Sequence, residues 1–178
     1  MYKRQVIALR MLEAAGLDPD RDLVREHLGP AQAMDALKDG KLDAFFFSGG
    51  VPAPAVLELA TSVGSEMRLV PSDDLLPALH ARHGAAQFPL VVIPARSYPG
   101  LAADVPTVGN ATLLAVDAAM GETLAYEITR AIFEHVAELA AIHPVARGLS
   151  PERAASGSPV PYHPGAERYY RERGAWPA

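Results

Sequence analysis

The sequence contains no cysteine among its 178 residues. This absence excludes disulfide bridges, cysteine-ligated zinc sites and thiol catalysis, and it decides nothing about the cellular compartment, because a chain of this length can bury a core without cross-links. Long hydrophobic runs are lacking as well. Gly, Pro or a charged residue interrupts each apolar stretch well before the roughly 20 residues that a membrane span requires, so the sequence predicts no transmembrane helix.

Runs of positive charge are also missing. The chain has 16 Lys and Arg residues against 21 Asp and Glu residues, which gives a formal net charge of −5. This balance argues against nucleic acid or an anionic membrane surface as a partner. The hydrophobic share of 49% and the mean hydropathy of +0.07 fit a folded globular protein instead.

The first five residues, "MYKRQ", correspond to codons that resemble a transposon end sequence used to prepare sequencing libraries. We therefore expect residues 1–5 to be a sequencing-adapter artefact and the natural protein to enter at Val6, within an element. A genuine short N-terminus is the alternative. No secretory signal peptide is visible at this end. Its absence is consequently not taken as evidence for a cytoplasmic protein.

Helical segments and short apolar runs alternate along the first two thirds of the chain. Apolar periodicity that stops at a glycine predicts helices ending at Gly16, Gly40 and Gly64. Helices joined to short strands by brief connections favour an α/β fold with a mostly parallel sheet. The predicted strands are the apolar runs at 42–47, 66–71, 88–93 and 105–116.

The last third carries the longest helical pattern, residues 121–142, and a shorter helix for which Ser150 is the predicted N-cap and Pro151 the first residue. The long helix needs a sheet to cover its apolar stripe. We predict that this stripe consists of Leu124, Ile128, Ala131, Ile132, Val136 and Leu139.

The first candidate binding segment is "FFFSGGVPAPA". A buried strand ending in Phe47, Ser48, Gly49 and Gly50 directly before a helix would place these residues at the edge where open α/β sheets bind ligands. The glycines allow close backbone approach, and the helix start suits a carboxylate or phosphate. A tight βα turn without a ligand explains the same glycines equally well, and no nucleotide-binding motif is present.

The second candidate is the turn "PARSYPG", in which Tyr98 either presents its ring to a ligand or covers the edge of the core. Arg96 is the nearest plausible cationic partner for a carboxylate, although an arginine in a turn can also be simply solvated. These two residues complete the predicted binding set.

The histidines offer little for metal binding or catalysis. His80 and His83 are three residues apart, and no third ligand stands at motif spacing. His135 and His143 are predicted to be capping or solvated groups. Without a nucleophile or metal motif, we predict no catalytic residues, no metal and no cofactor.

Four stretches, taken in order, resemble one family, the TAXI family of TRAP-transporter solute-binding proteins. The resemblance covers nearly everything from Val6 to Trp176. Its closing part, His-Pro-Gly-Ala followed by Tyr-Tyr, is the most specific. The four stretches are 35–60, 98–116, 125–135 and 143–174.

This resemblance implies a periplasmic-binding-protein type II fold, in which two α/β lobes enclose a ligand. Residues 6–104 would then be the second lobe, without its start, and residues 105–178 the hinge return and the C-terminal part of the first lobe. Family members are longer, so most of the first lobe would be missing from this chain. Pro161, Tyr162 and Tyr169–Tyr170 would pack the tail and contact no ligand.

The implied function is an extracytoplasmic, periplasmic receptor that captures a small organic anion and delivers it to TRAP permease membrane subunits. Glutamate, glutamine and 2-oxo or dicarboxylic acids are the favoured ligands. A complete receptor is expected to be a monomer and not an enzyme, whereas this shorter chain is expected to self-associate. Two alternatives remain open, a ligand-sensing periplasmic domain and an enzyme acting on small acids.

Overall fold

The computed structural model describes residues 3–63, 67–156, 158 and 160–177. Met1, Tyr2, Gly64, Glu66 and Pro159, on which parts of the sequence-based predictions fall, lie outside these residues. The chain forms two compact units, which are described separately. The first consists of the described parts of Met1–Arg82 and Leu90–Val108, and the second of those of His83–Pro89 and Gly109–Ala178.

The first unit contains helices and a small sheet. A 3-10 turn at Asp73–Leu75 precedes α4, whose last residue already belongs to the second unit. The elements are α1 (Lys3–Ala14), α2 (Pro30–Lys38), α3 (Pro54–Val63), α4 (Leu76–His83), β1 (Leu90–Ile93) and β2 (Val105–Val108).

Glycines in the left-handed conformation end α1 and α2, as predicted. Gly16 has φ +79° and Gly40 has φ +68°. The Leu17 N–H donates to the Leu12 carbonyl at 3.0 Å, and the Lys41 N–H to the Ala36 carbonyl at 2.8 Å. These bonds satisfy carbonyls that a helix end leaves without an intrahelical partner.

Only two of the four predicted strands form among the described residues. β1 and β2 pair antiparallel, with Leu90 opposite Val108 and Ile93 opposite Val105. The prediction of a mostly parallel sheet is therefore wrong for this part of the chain. An apolar run becomes a strand only when a neighbouring strand supplies backbone partners; residues 42–47 and 67–70 have none and form no strand.

The exposure of residues 42–47 corrects a second expectation about this run. Phe46 and Phe47 are 45% and 37% exposed, so the predicted buried strand is an exposed segment without strand structure.

The outer edge of β2 is covered, because the Ser72 N–H donates to the Pro106 carbonyl at 3.1 Å. The Ser72 hydroxyl also accepts from the Val108 N–H at 3.1 Å.

The core of the first unit lies along α3. Ala53, Val56 and Ala60 are buried together with Tyr98. Side chains from the neighbouring segments cover this cluster. They are Val51, Met67, Leu69, Ile93 and Leu101.

The second unit is helical. The predicted long helix breaks at His135, which has φ −108° and whose Nδ1 lies 2.8 Å from the Ala131 carbonyl. A continuous helix was the wrong prediction here, because the histidine caps the first helix instead of continuing it. The elements are α5 (Glu122–Glu134), α6 (Val136–Ile142), a 3-10 helix (Pro144–Gly148), α7 (Pro151–Ala154) and α8 (Pro164–Glu172).

The buried face of α5 differs from the predicted stripe. Leu124 is 55% exposed, whereas Ala125 and Thr129 are buried. Tyr126 and Phe133 pack on the tyrosines of α8. Packing against α8 therefore determines which face of α5 is buried. The hydroxyl of Thr129 can be buried there because it donates to the Ala125 carbonyl at 2.8 Å.

Both histidines that precede prolines act as caps. The Nδ1 of His143 accepts from the Val145 N–H at 3.2 Å. Of the two predicted roles, capping or solvated, it therefore has the capping one, at the start of the 3-10 helix that follows. His163 accepts from the Gly165 N–H at 3.2 Å and, through Nε2, donates to the Met120 carbonyl at 3.0 Å. This geometry requires the neutral imidazole with its proton on Nε2. Ser150, the other predicted cap, accepts from the Arg153 N–H at 3.3 Å.

The tail packs as an aromatic cluster on α5. Tyr169 and Tyr170 are 2% and 7% exposed. The Tyr169 ring stacks on Phe133 with centroids 5.7 Å apart, and the Tyr170 ring stacks on Trp176 at 6.2 Å. The Tyr162 hydroxyl donates to the Ala154 carbonyl at 2.9 Å, so the tyrosines of the tail contribute to the core.

Candidate functional site

An open concavity of about 510 Å³ lies in the first unit, between α3 and the loop that connects β1 to β2. α3 contributes Leu57 to its wall. The loop contributes Arg96, Ser97, Tyr98, Pro99, Gly100, Leu101 and Ala102. One element and one short loop therefore build the whole lining.

Backbone hydrogen bonds hold this loop in a fixed shape. The Arg96 N–H donates to the Leu101 carbonyl at 2.9 Å, and the Leu101 N–H donates to the Tyr98 carbonyl at 3.1 Å. At the base of the loop, the Ala95 N–H donates to Asp104 Oδ1 at 2.7 Å. These bonds close the loop on itself, so its side chains project from a defined scaffold.

Arg96 occupies a strained backbone conformation. It has φ +66°, the left-handed region that side chains other than glycine rarely adopt. Such residues persist where the surroundings hold them, and they are found preferentially at functional sites. The guanidinium is exposed, and no described carboxylate forms an ion pair with it. Arg96 therefore brings to the lining of the concavity a cation that has no ion-pair partner in the part of the chain that the structure describes.

Tyr98 belongs to the core and to the lining at the same time. Its residue is 4% exposed, and its hydroxyl oxygen accepts from the Ala53 N–H at 2.9 Å. The hydroxyl thus ties the loop to the residue that precedes α3. Of the two roles proposed for Tyr98, the structure shows the one at the edge of the core, and the residue is also among those that line the concavity.

The predicted glycine segment leads into α3 through a cis peptide bond between Val51 and Pro52. Gly49 lies under the Phe47 ring, where a Cβ would come within 2.7 Å of a ring carbon. Ser48 and Gly50 are half-buried. Phe47–Gly50 are not among the residues that line the concavity, although Val51 packs on the cluster that contains Tyr98.

The start of α3 offers fewer free donors than the sequence suggested. Pro52 and Pro54 carry no N–H, and the N–H of Ala53 is taken by Tyr98. The site therefore depends less on the helix terminus and more on the Arg96 loop.

Sequence reasoning missed the apolar part of the lining. Leu57 was not among the predicted site residues. It is 41% exposed, although Val56 and Ala60 of the same helix are buried. The sequence feature that could have identified Leu57 is its position in α3 directly after the buried Val56. The loop positions Pro99, Leu101 and Ala102 were treated only as a connection between strands.

Comparison with protein families shows to which family the chain belongs. The model of the NMT1-like family matches residues 4–174. The chain belongs to the NMT1-like family. This family is of the periplasmic-binding-protein type, so membership indicates solute binding in general and a small molecule as the ligand.

The NMT1-like chain has a second concavity, of about 470 Å³, in its second unit. Its charged groups pair with each other, since Arg173 lies 3.5 Å from Glu134. The apolar lining consists of Phe133, Val136, Leu149, Pro151 and Tyr169. This arrangement leaves no free charge for an ionic ligand.

Within the part of the chain that the structure describes, no group of three or more His, Asp and Glu side chains is placed to hold a metal ion. None of the helices formed by these residues is both long and apolar enough to cross a membrane.

Proposed function

We propose that this NMT1-like chain is an extracytoplasmic solute-binding receptor of the TAXI type, which captures a small organic anion and delivers it to TRAP permease subunits. Family membership supports the binding of a small solute. The four sequence stretches that resemble TAXI proteins support the narrower assignment. The periplasm is the compartment that this function requires.

The observation that carries the proposal is Arg96. Its guanidinium is exposed and without an ion-pair partner among the described residues, and its backbone is held at φ +66° by the loop. A cation on a backbone that is held beside a concavity suits a carboxylate, and arginine binds carboxylates through two parallel hydrogen bonds. Tyr98 fixes the loop that presents it.

The proposed ligand-binding set comprises the Arg96 loop and the segment before α3. In the first, Arg96 and Tyr98 line the concavity. In the second, Phe47, Ser48, Gly49 and Gly50 lead to Ala53, which is hydrogen-bonded to Tyr98. We assign residues 6–104 to the second lobe of the receptor, and residues 105–178 to the hinge return and the C-terminal part of the first lobe.

Binding is tested by NMR titration of the isotope-labelled 178-residue chain with glutamate, glutamine and 2-oxo acids. We expect the side-chain Nε–H signal of Arg96, assigned with an Arg96→Lys variant, to shift in a saturable way. Arg96→Gln should weaken binding by at least about tenfold, the usual effect of losing a charge-assisted contact. Arg68→Gln, which changes an exposed arginine of the same unit, serves as the control.

Equal loss of binding in the Arg68 and Arg96 variants would contradict the site, and the absence of any saturable shift would contradict the function. The transport step needs a separate measurement. Uptake of the bound acid into proteoliposomes that contain a TRAP permease should depend on the added receptor. Uptake that is unchanged by the receptor would remove the TRAP assignment and leave solute binding intact.

A further inference from the structure

We infer that the anion bound at the Arg96 loop is a monocarboxylate with an apolar tail. This inference rests on the proposed function and narrows its ligand class. It concerns the concavity of the first unit described above, and it follows from the charge and the polarity of the lining.

The lining contains one charged side chain. Arg96 is the only ionic residue among the eight described residues that line the concavity, so this described lining carries one positive charge and no negative one. The acid of this loop, Asp104, lies outside the lining, and its Oδ1 accepts from the Ala95 N–H. One carboxylate can therefore be neutralised here, and a second would enter without a counter-charge.

An ammonium group finds no acidic acceptor at the same wall. An α-amino acid would have to place its ammonium beside Arg96 without a carboxylate among the lining residues, and such placement of like charges is unfavourable. A 2-oxo group avoids this repulsion and can accept a hydrogen bond from the Ser97 hydroxyl. The lining thus favours an oxo acid or a simple acid over glutamate or glutamine.

Apart from Arg96 and Ser97, the described lining residues have apolar side chains or none. Leu57 is 41% exposed and faces the concavity opposite the loop residues Pro99 and Leu101. Removing this surface from water is favourable only when an apolar group covers it. A branched aliphatic or aromatic tail would do so, whereas the second carboxylate of a dicarboxylic acid would lose its hydration against Leu57.

The test uses two ligands that share a head group. 4-Methyl-2-oxopentanoate and 2-oxoglutarate carry the same 2-oxo carboxylate. The first has a branched apolar tail where the second has another carboxylate. NMR titration of the full chain should show 4-methyl-2-oxopentanoate binding at least about fivefold more tightly, as partial burial of such a tail predicts. Leucine, which replaces the oxo group with an ammonium, should bind more weakly than its oxo acid.

Each outcome separates the inference from the proposed function. Tighter binding of 2-oxoglutarate, or of leucine, would overturn the inference and leave an anion receptor in place. Binding of none of the three ligands, with no shift of the Arg96 signal, would overturn both. Equal affinities for the two oxo acids would also contradict the apolar tail.

A pair of leucine variants tests the role of the wall. Leu57→Ser should weaken 4-methyl-2-oxopentanoate several-fold and leave the affinity for 2-oxoglutarate nearly unchanged. Leu124→Ser changes a leucine of comparable exposure in the second unit and should affect neither ligand. If both leucine variants lower both affinities equally, Leu57 does not select the tail.

Discussion

Gly165 lies where α8 approaches the start of α5 so closely that no side chain fits between them. A Cβ at this position would come within 2.2 Å of the Glu122 carbonyl oxygen and 2.7 Å of the Tyr126 backbone nitrogen. His163, two residues earlier, fastens the same crossing through Met120. Packing therefore explains the His-Pro-Gly-Ala motif. His163 caps α8, Pro164 is its first residue, and Gly165 is the point of contact with α5.

We expect Gly165→Ala to lower the free energy of unfolding by about 1–3 kcal/mol or more, because the atoms in its way are backbone atoms that cannot rotate aside. Gly148→Ala is the matched control, since its Cβ would meet only the end of the Arg153 side chain at 3.4 Å. Urea denaturation measures both. Similar losses in the two variants would show that the close helix crossing is not the cause.

His163→Ala should lower the free energy of unfolding by about 1–3 kcal/mol, because a helix cap and a hydrogen bond to the Met120 carbonyl are lost together. His163→Asn should recover part of this loss, since its side-chain oxygen can still cap α8. Thermal and urea unfolding provide the comparison. His27→Ala, a change at an exposed histidine of the first unit, should remain within about 0.5 kcal/mol of the unchanged protein.

Residue-scale prediction succeeded where the cause is local. Gly16, Gly40 and Ser150 act within a few residues of their own position, so their roles can be read from the sequence. The bond between Tyr98 and Ala53 joins residues 45 positions apart and carries no sequence signal. The strained backbone of Arg96 likewise depends on Leu101 and on the loop as a whole, and sequence reasoning found only its charge.

Among the elements, α5 and α8 form the most elaborate contact of the second unit. Arg168 pairs with Glu122 at 2.8 Å and lies 4.2 Å from the centre of the Tyr126 ring. The Tyr126 hydroxyl donates to Glu172 Oε2 at 2.6 Å. Ionic and aromatic contacts thus connect the middle and the last residue of α8 to α5.

This contact makes a prediction about pH. The hydrogen bond to Glu172, together with desolvation and the charge of that carboxylate, raises the pKa of Tyr126 above its ordinary value of 10.0. A raised pKa in the folded state means that this stabilising contribution is complete below pH 10 and is lost as the pH rises through the folded-state value. Unfolding measured at increasing alkaline pH should show this loss.

Titration of the tyrosine Cζ signals by NMR gives the direct test. Glu172→Gln should lower the pKa of Tyr126 towards its ordinary value, because the charged acceptor is removed. The pKa of Tyr170, which burial raises, should change little. Glu138→Gln, at an exposed position of α6, is the control, and an unchanged Tyr126 titration in Glu172→Gln would refute the assignment.

The elements themselves were only partly predictable. Most helices follow from apolar periodicity and end signals within their own residues. Strands depend on partners elsewhere, and the apolar runs at 42–47 and 67–70 lack them in the described structure. The stripe of α5 was misassigned for the same reason, because α8 selects Ala125 and Thr129 as the buried positions and leaves Leu124 exposed.

For the molecule as a whole, much apolar surface remains in contact with water. Three of the four residues of β1 are exposed, Leu90 at 54%, Val91 at 37% and Val92 at 46%. β1 pairs only with β2 in the described sheet, and natural edge strands usually carry a charge or a proline that prevents pairing with other chains. None of these three residues supplies one.

We therefore expect the 178-residue chain to self-associate at micromolar concentrations. Val92→Lys should shift it towards the monomer, because a charge on an open edge discourages pairing between strands. Val24→Lys introduces the same charge at a valine that is 93% exposed outside any helix or strand. Light scattering after gel filtration measures the mass, and an equal effect of the two lysines would point to net charge instead of the edge.

Trp176 is the sole tryptophan of the chain, and it lies in the aromatic cluster of the second unit. Its ring stacks on Tyr170 and meets the Tyr162 ring at 5.1 Å. Selective excitation of its indole consequently reports on the packing of the C-terminal tail. Unfolding followed by emission will show the melting of this cluster, whereas the loss of structure around Arg96 requires a probe introduced on its own loop.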